Sequence, residues 1–410
     1  MISIQDFPPK LPFQIFRIAF VIPYFVFIAF SLEPPKTKLR YFSLIVIIIY
    51  LLALPLVYRG EYEEIEISPI AALAFGWSFK MMIWLKRCLY AEKEKQIGPF
   101  YLTMFFWRTL PNDDTKVKKK DSKLTIREIN LNIIQRVALV FLKWVLFEMC
   151  YRWLTYNVPD IPEESYPVRI FNWVTKGIPA LNQFLLLYYA VGTSVIILSL
   201  SLGYDFFLVL NGLLLRFLIT LNNDKEILFL EKQQIKYIKE WCISMAYDTK
   251  HIFMYPYFST SPRDLWSNRW QLFLKESFKE LAYLPARNLF INKSKRFSEL
   301  IGVLAAFAMS ALLHEYLLLI FLNKYSGEHL FFFMLHGIIL VIWEGITGST
   351  RETDSKKSLL KSILQRSVMM IIILFTLPGF VEPFARHPHW FISSAFTSYK
   401  RDPTLDFHYS

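Results

Sequence analysis

Two short stretches of this chain carry residues whose types and spacing suit chemistry. The first is Ser310-Ala311-Leu312-Leu313-His314-Glu315-Tyr316, in the middle of a strongly apolar run. Ser310 and His314 are four apart and share one helix face, while Glu315 points about a quarter-turn away. A charged residue at the centre of a membrane helix costs about 2.5–3.5 kcal/mol on insertion scales. A neutral histidine costs less but still needs partners. The pair therefore points to a buried polar chamber, with a packing histidine bonded to a neighbouring helix as the alternative. His336, in Leu335-His336-Gly337, is a second histidine of this kind, and Glu344, two turns beyond it, is placed to complete a polar core. The second stretch runs from Tyr255 to Gln271. It is amphipathic, aromatic and basic, and too polar to span a membrane. The small residues Gly302, Ala305, Ala306, Ala308, Ser310 and Ala311 precede His314 and let neighbouring helices approach closely.

Composition says what kind of scaffold must hold these groups. Of 410 residues, 54% are hydrophobic, 17% aromatic and only 20% charged, against about 45–50% apolar and 25% charged in a soluble domain. The apolar residues come in blocks of helix-spanning length and the charges lie between them. That excludes a disordered chain, a collagen-like chain and a disulfide scaffold, and argues against a water-soluble enzyme. The fold class is all-α, a polytopic transmembrane helical bundle of about eight spans plus interfacial helices, in one integral membrane domain over residues 1–410. Spans are expected at about Leu11 to Leu32, Tyr41 to Tyr58, Asn132 to Leu154, Gly177 to Leu202, Ser298 to Leu322, Leu330 to Thr347 and Val368 to Val381. Ser68 to Leu85 is a third span or a re-entrant segment. Phe206 to Leu221 is a further apolar block after Tyr204-Asp205. Gly98 to Leu110 reads as an interfacial helix, and Asn222 to Lys250 as a polar, cytosolic helical segment.

The net charge of +12 is assigned mainly to cytosolic loops by the positive-inside bias, so no nucleic-acid partner is expected. Lys36, Lys38 and Arg40 put the first link in the cytosol, and Glu61, Glu63 and Glu64 put the next one in the lumen. The first block stays as a signal anchor, and the membrane expected is the endoplasmic reticulum. The basic run Lys116 to Lys123 reads as a solvated cytosolic face, with attraction to lipid head groups as the alternative. Between His251 and Arg296 there are eight Lys/Arg against three acids, so that segment is cytosolic too, as is Arg351 to Arg366. Asn292-Lys293-Ser294 is then a glycosylation sequon left unused. Cys88, Cys150 and Cys242 give no framework and read as reduced thiols. His387-Pro388-His389 lacks a third ligand nearby, so no metal centre is expected. There is no Gly-rich phosphate loop, no G-x-S-x-G and no H-E-x-x-H.

Together these motifs resemble the membrane-bound O-acyltransferase (MBOAT) superfamily, and within it the wax-synthase-like branch. Ser261-Pro262-Arg263-Asp264-Leu265-Trp266-Ser267-Asn268-Arg269-Trp270 resembles that branch's polar S-L-R-x-F-W-x-R-x-W block. Ser310 to Glu315 resembles its small-residue-then-His-Glu helix, and Phe332-Phe333-Met334-Leu335-His336-Gly337 its phenylalanine-rich His-Gly helix. Order and spacing agree, and the match covers about Tyr255 to Glu344. The family usually places Asn or His just after the second Trp of the block; this chain has Gln271 there, and Asn268 three residues earlier.

The resemblance implies transfer of a fatty acyl group from acyl-CoA, a co-substrate, to the hydroxyl of a lipid acceptor. A long-chain alcohol giving a wax ester is the foremost acceptor. No cofactor is implied, and transfer is direct, without an acyl-enzyme. In that scheme His314 is the general base, and Gln271 or Asn268 orients the donor or stabilises the oxyanion. Arg263, Arg269 and Lys275 become candidate contacts for CoA phosphates, with plain positive-inside charge as the alternative, and Trp266 and Trp270 either line the donor entrance or anchor the interface. Ser310, Glu315 and His336 complete the candidate substrate site. The partners implied are acyl-CoA, the lipid alcohol and membrane lipids. Acetyl or short-acyl transfer to a diacylglycerol, sterol or terpenoid alcohol is one alternative; a non-enzymatic transporter or lipid-binding membrane protein is the other.

Overall fold

A computed structural model describes residues 11–62, 64–90, 100, 124–220, 232–248, 250–347 and 359–386. Gly98 to Leu110 (Phe100 apart), the Lys116 to Lys123 run and His387-Pro388-His389 lie outside the described residues.

The chain opens with an antiparallel pair, α1 (Phe13–Phe30) and α2 (Lys38–Val57). Thr37 caps α2 by accepting from the Arg40 amide. Leu44, Ile48, Leu51 and Leu54 recur at helical spacing and are buried, in a core shared with Phe16, Phe20 and Phe27. Phe25, Ile45 and Ile49 point out and are exposed, as a lipid-facing stripe requires. Helix α3 (Glu64–Tyr90) packs beside them and carries Ala71, Ala74 and Trp84 into the same core. Helix α4 (Ile126–Tyr156) starts with a full capping box between Thr125 and Glu128. Next comes α5 (Tyr166–Lys176), a strongly two-faced helix that buries Tyr166 and Arg169 while Phe171 and Val174 are exposed.

Helix α6 runs unbroken from Gln183 to Thr220. The two blocks expected at Gly177 to Leu202 and Phe206 to Leu221 are therefore one helix. Tyr204-Asp205 does not break it because Asp205 finds partners inside the bundle. The fully buried Asp205 carboxylate lies 2.5 Å from Lys143 Nζ on α4, 2.8 Å from His251 Nε2 and 3.6 Å from Arg136. Helix α7 (Lys232–Tyr247) follows, with Cys242 buried and its thiol pushed up to about 12 by desolvation. Residues 250–274 form an irregular block, and α8 (275–289) carries a wide turn at Lys279–Tyr283. The expected hairpin is α9 (Lys295–Leu322) and α10 (Glu328–Thr347). The span expected at Val368 to Val381 lies within the apolar segment Leu360–Ala385, which is built from α11 (Leu359–Thr376) and a short buried α12 (Pro378–Ala385) divided before Pro378.

Among the described residues, six segments are long and apolar enough to cross a membrane: Phe13–Phe30, Lys38–Val57, Gln183–Thr220, Lys295–Leu322, Glu328–Thr347 and Leu360–Ala385. Helices α3 and α4 are long as well but are not among these six. Cross-links define two ends. At one, Phe100 N donates to Ser31 O (3.0 Å), and Lys86 and Arg87 of α3 pair with Glu280 and Glu276 of α8. At the other, Gly60 N donates to Ile320 O (3.2 Å) and Arg386 binds Glu328 (2.5 Å), Glu382 and the carbonyls of Pro162 and Glu164. The first is the basic end and the second the acidic end.

Removing Asp205 leaves the partly buried Lys143 and Arg136 without their shared carboxylate. Asp205→Ala should lose about 1–3 kcal/mol of stability, less than for a fully buried pair because the cations left behind reach solvent, and Asp205→Asn less, read as unfolding midpoints in detergent. An unchanged midpoint for Asp205→Ala would show that the cluster does not hold α4 to α6.

Candidate active site

The 250–274 block packs into the helical bundle, and its edges pair locally, as non-helical chain buried inside a membrane protein must. Met254 N donates to Arg269 O and Leu272 N to Ile252 O, both at 2.9 Å, so the two edges of the block pair with each other. Ser261 caps the turn Pro262–Asp264, and a wide turn over Leu265–Arg269 closes with Trp270 N on Leu265 O at 2.8 Å. Trp266 reaches the middle of the α9–α10 hairpin, with ring centroids 5.6 Å from Phe307 and 5.8 Å from Phe333.

A cavity of about 890 Å³ lies between this block and α3, α6, α9 and α10, within the range of small-molecule sites. Its walls are largely apolar; Phe75, Phe207, Phe253, Leu313 and Phe333 are among them. Lys275 and Lys279, both exposed, stand at a mouth on the basic end, and the exposed Leu73 and Leu200 mark a second mouth between α3 and α6. Ser310 and His314 line the cavity from one face of α9, as their spacing predicts, and Gln271, Trp266 and Trp270 line it from the block.

Gln271 has φ +41, and Tyr255 at the block's other shoulder has φ +51. Such left-handed backbone in a non-glycine residue costs on the order of 1–2 kcal/mol and collects at functional sites. It turns the Gln271 side chain into the cavity. Asn268 is exposed and is not part of the lining. Of the two amides left open by the sequence, only Gln271 shares the cavity with His314. The Nδ1 atom of His314 is closed off and has no hydrogen-bond partner, which leaves Nε2 on the open edge of the ring. Phe333 stacks on that ring at 4.7 Å and Phe380 meets it edge-on at 5.2 Å.

Other expected site residues hold the site rather than face it. Arg263 borders the cavity, but its guanidinium is engaged by Glu344 through two hydrogen bonds; those bonds hold Arg263 above its ordinary pKa. Arg269 bonds Asp264 (2.8 Å) and the carbonyls of Met254 and Tyr255, so it staples the block instead of meeting a phosphate. Lys275 donates to Ser267 O at 2.7 Å and still lines the mouth. His336 is buried behind Trp266: its Nδ1 accepts from the indole N–H at 3.2 Å and its Nε2 lies 2.9 Å from the Thr376 hydroxyl. Glu315 accepts from the Leu330 amide (3.1 Å) and the Gly327 amide (3.4 Å), capping α10 away from the cavity. Glu344, expected to complete a polar core with His336, pairs with Arg263 instead, while His336 bonds Trp266 and Thr376. Sequence reasoning missed His251 and His329 as site neighbours, because each sits at the edge of an apolar run where a polar residue draws no notice.

Gly302 sets how closely α9 meets α8. A Cβ there would lie 2.8 Å from Tyr283 Cδ2 and 3.0 Å from the Tyr283 carbonyl, and Tyr283 lines the cavity.

The fold and site define a multi-helix membrane protein that encloses an apolar cavity with one unpaired imidazole and one amide. Comparison with known proteins agrees: residues 249–335 match the membrane bound O-acyl transferase family. The chain is 35% identical over 97 residues to the probable long-chain-alcohol O-fatty-acyltransferase 3 of Arabidopsis thaliana, covering 23% of this chain and 28% of that protein. It is 30% identical over 102 residues to the long-chain-alcohol O-fatty-acyltransferase of Simmondsia chinensis, covering 23% and 29%. The aligned part thus spans under a third of the length of these curated relatives. The family match over residues 249–335 takes in the 250–274 block and His314, and it supports kinship with the MBOAT superfamily there.

Two substitutions test the local geometry. Gln271→Gly should melt higher than Gln271→Ala by about 1 kcal/mol, since only glycine adopts the left-handed backbone without strain; equal midpoints would mean the turn is relaxed. Gly302→Ala should destabilise by about 1–3 kcal/mol through overpacking against Tyr283, again read from the unfolding midpoint.

Proposed function

We propose that this chain is an acyl-CoA-dependent O-acyltransferase, moving a fatty acyl group to the hydroxyl of a lipid acceptor, with a long-chain alcohol as acceptor and a wax ester as product. The observation that carries the reading is the shared cavity: His314, with Nδ1 buried and Nε2 open, and Gln271, held in a left-handed turn, line one apolar chamber at membrane depth. The names borne by the aligned relatives favour the long-chain alcohol over shorter or sterol-like partners.

In this mechanism the alcohol oxygen attacks the thioester carbonyl carbon while His314 Nε2 takes its proton. The C–S bond breaks, and the proton passes from His314 to the CoA sulfur. Gln271 donates a hydrogen bond to the oxyanion or orients the thioester. Lys275 and Lys279 supply positive charge at the basic mouth, where the CoA phosphates approach from the cytosol. The apolar walls hold the acyl chain, each buried CH₂ contributing about 0.8 kcal/mol. The mouth at Leu73 and Leu200 admits the acceptor from the lipid. The expected setting is the endoplasmic reticulum membrane.

Membranes from an expressing host, given labelled acyl-CoA of several chain lengths and a panel of alcohols, test this directly. Wild-type chain should acylate long-chain alcohols. His314→Ala should abolish transfer, Gln271→Ala should lower turnover about 10²–10³-fold, and Asn268→Ala should stay near wild type. Full transfer by His314→Ala would remove the base assignment. A preference for acetyl-CoA with diacylglycerol, sterol or terpenoid alcohols would move the substrate class, and no acylated alcohol at all would favour a transporter or lipid-binding protein.

A further inference from the structure

Helix α6 carries a glycine that neither packing nor the mechanism explains. Glycine is the poorest helix former after proline, yet Gly203 stands near the middle of α6. Its backbone is ordinary helix, so no left-handed φ calls for glycine. Gly212 and Gly302 have a steric reason: a Cβ on the first would lie 2.8 Å from Ile133 Cγ1, and on the second 2.8 Å from Tyr283 Cδ2. A Cβ on Gly203 would meet no heavy atom within 4 Å. Its open space is of two kinds. Ser199, Gly203, Phe206, Leu210, Leu213 and Phe217 follow one another in steps of four and three, so they share one face of α6, and all are exposed. Of these, Ser199 and Gly203 also line the cavity. Gly203 is therefore a rim residue, open both to the outer face of α6 and to the chamber. Leu200, one turn earlier, and Ala72 and Leu73 of α3 are likewise exposed and line the cavity.

We propose that Gly203 is the specificity-determining residue of the mouth between α3 and α6: its missing side chain leaves that mouth wide enough for a neutral long-chain lipid alcohol to enter from the bilayer. What happens to the alcohol inside rests on the acyl-transfer reading above. The two mouths differ in chemistry. The Lys and Arg side chains on the cavity wall, Arg263, Lys275 and Lys279, come from the 250–274 block and α8, while α3 and α6 line it with no charged residue. A phosphate suits the first side and is refused by the second, because charge at membrane depth is costly. A hydroxyl is far cheaper to desolvate, and the alkyl chain behind it only exchanges lipid for an apolar wall. A side chain added at position 203 displaces no neighbour at its Cβ, so its volume is taken from the rim. Position 203 is thus a filter set by the size of one side chain.

A graded series in the full-length chain, Gly203→Ala, Gly203→Leu and Gly203→Trp, tests this in lipid nanodiscs. The first arm needs no turnover. A long-chain alcohol bearing a diazirine is photolysed with the protein in the absence of acyl-CoA, and the label is mapped by mass spectrometry. Label counts only where excess unlabelled alcohol suppresses it, which removes the background from bulk lipid. The expected label falls on the cavity-lining residues of α3 and α6, between 72 and 77 and between 196 and 207, and declines as residue 203 grows. Leu210→Trp, on the same outer face but off the cavity wall, should label like the wild type. Wild-type label absent from both segments overturns the proposal whether or not a variant folds. Undiminished label in a folded Gly203→Trp, or an equal loss in Leu210→Trp, overturns it as well. The second arm is kinetic. Gly203→Leu should lower kcat/KM for a long-chain alcohol about 10-fold or more, with KM for acyl-CoA nearly unchanged. A merely structural glycine would not separate the two substrates, so an equal loss toward both, or no loss, overturns the filter. If the wild type transfers no acyl group, the acyl-transfer reading fails while the labelling arm still decides the mouth.

Discussion

A chain that folds part of itself back into a bilayer must bring partners for every polar group it takes along. That constraint organises this structure. The 250–274 block enters the bundle as irregular backbone and pairs its own edges, Met254 with Arg269 and Ile252 with Leu272. Arg269 ties the loop a third time through Asp264 and two carbonyls. His251, at the block's first residues, is anchored on Asp205. Only after these demands are met does one amide, Gln271, remain free to turn inward. His314 stands out on the cavity wall because the carboxylates on the neighbouring turns, Glu315, Glu328 and Glu382, have partners elsewhere.

The same constraint explains the shape of the polar inventory. Two separate networks flank the cavity and leave it apolar. One gathers Asp205, Lys143, Arg136 and His251 between α4 and α6. The other gathers Arg169, Glu328, Glu382 and Arg386 at the acidic end, with the Tyr189 hydroxyl donating to Glu382. In each, opposite charges meet at close range, which is the arrangement that makes buried ions tolerable. Phe333 and Phe380 stand between the second network and the cavity, packed on His314. The aromatic side chains thus do more than fill volume: they keep the ionic cluster from offering His314 a charge.

Much of this was legible in the sequence, for reasons tied to particular residues. The α9–α10 hairpin follows from two long apolar runs around a short link, and the shared face of Ser310 and His314 follows from their spacing. The close approach allowed by Gly302 is visible as a run of small residues, although its partner Tyr283 is not. What the sequence could not reveal was which polar residues answer each other across helices. Asp205 looks like an interruption in α6 until Lys143, Arg136 and His251 are seen around it. Arg263 and Arg269 look like free cations until Glu344 and Asp264 take them. Helix α5 escapes notice because its apolar face is short and mixed with Arg169 and Lys176. His336 looks like a site ligand from its place in the motif; its two ring nitrogens instead hold Trp266 and meet Thr376. The choice between Asn268 and Gln271 turns on backbone φ, which a residue's identity does not disclose.

The acidic-end cluster also sets an order of events during synthesis. Arg169 on α5 finds its carboxylate in Glu382, 213 residues further along the chain. Translation proceeds at about 5–20 residues per second, so Arg169 is made roughly 10–40 s before its partner exists. Helix α5 must wait at the membrane surface for that interval, with Phe171 and Val174 against lipid. Arg386 then arrives and ties α10, α12 and the segment before α5 in one step. The part of this network that is made first is thus completed only by a segment 213 residues further along.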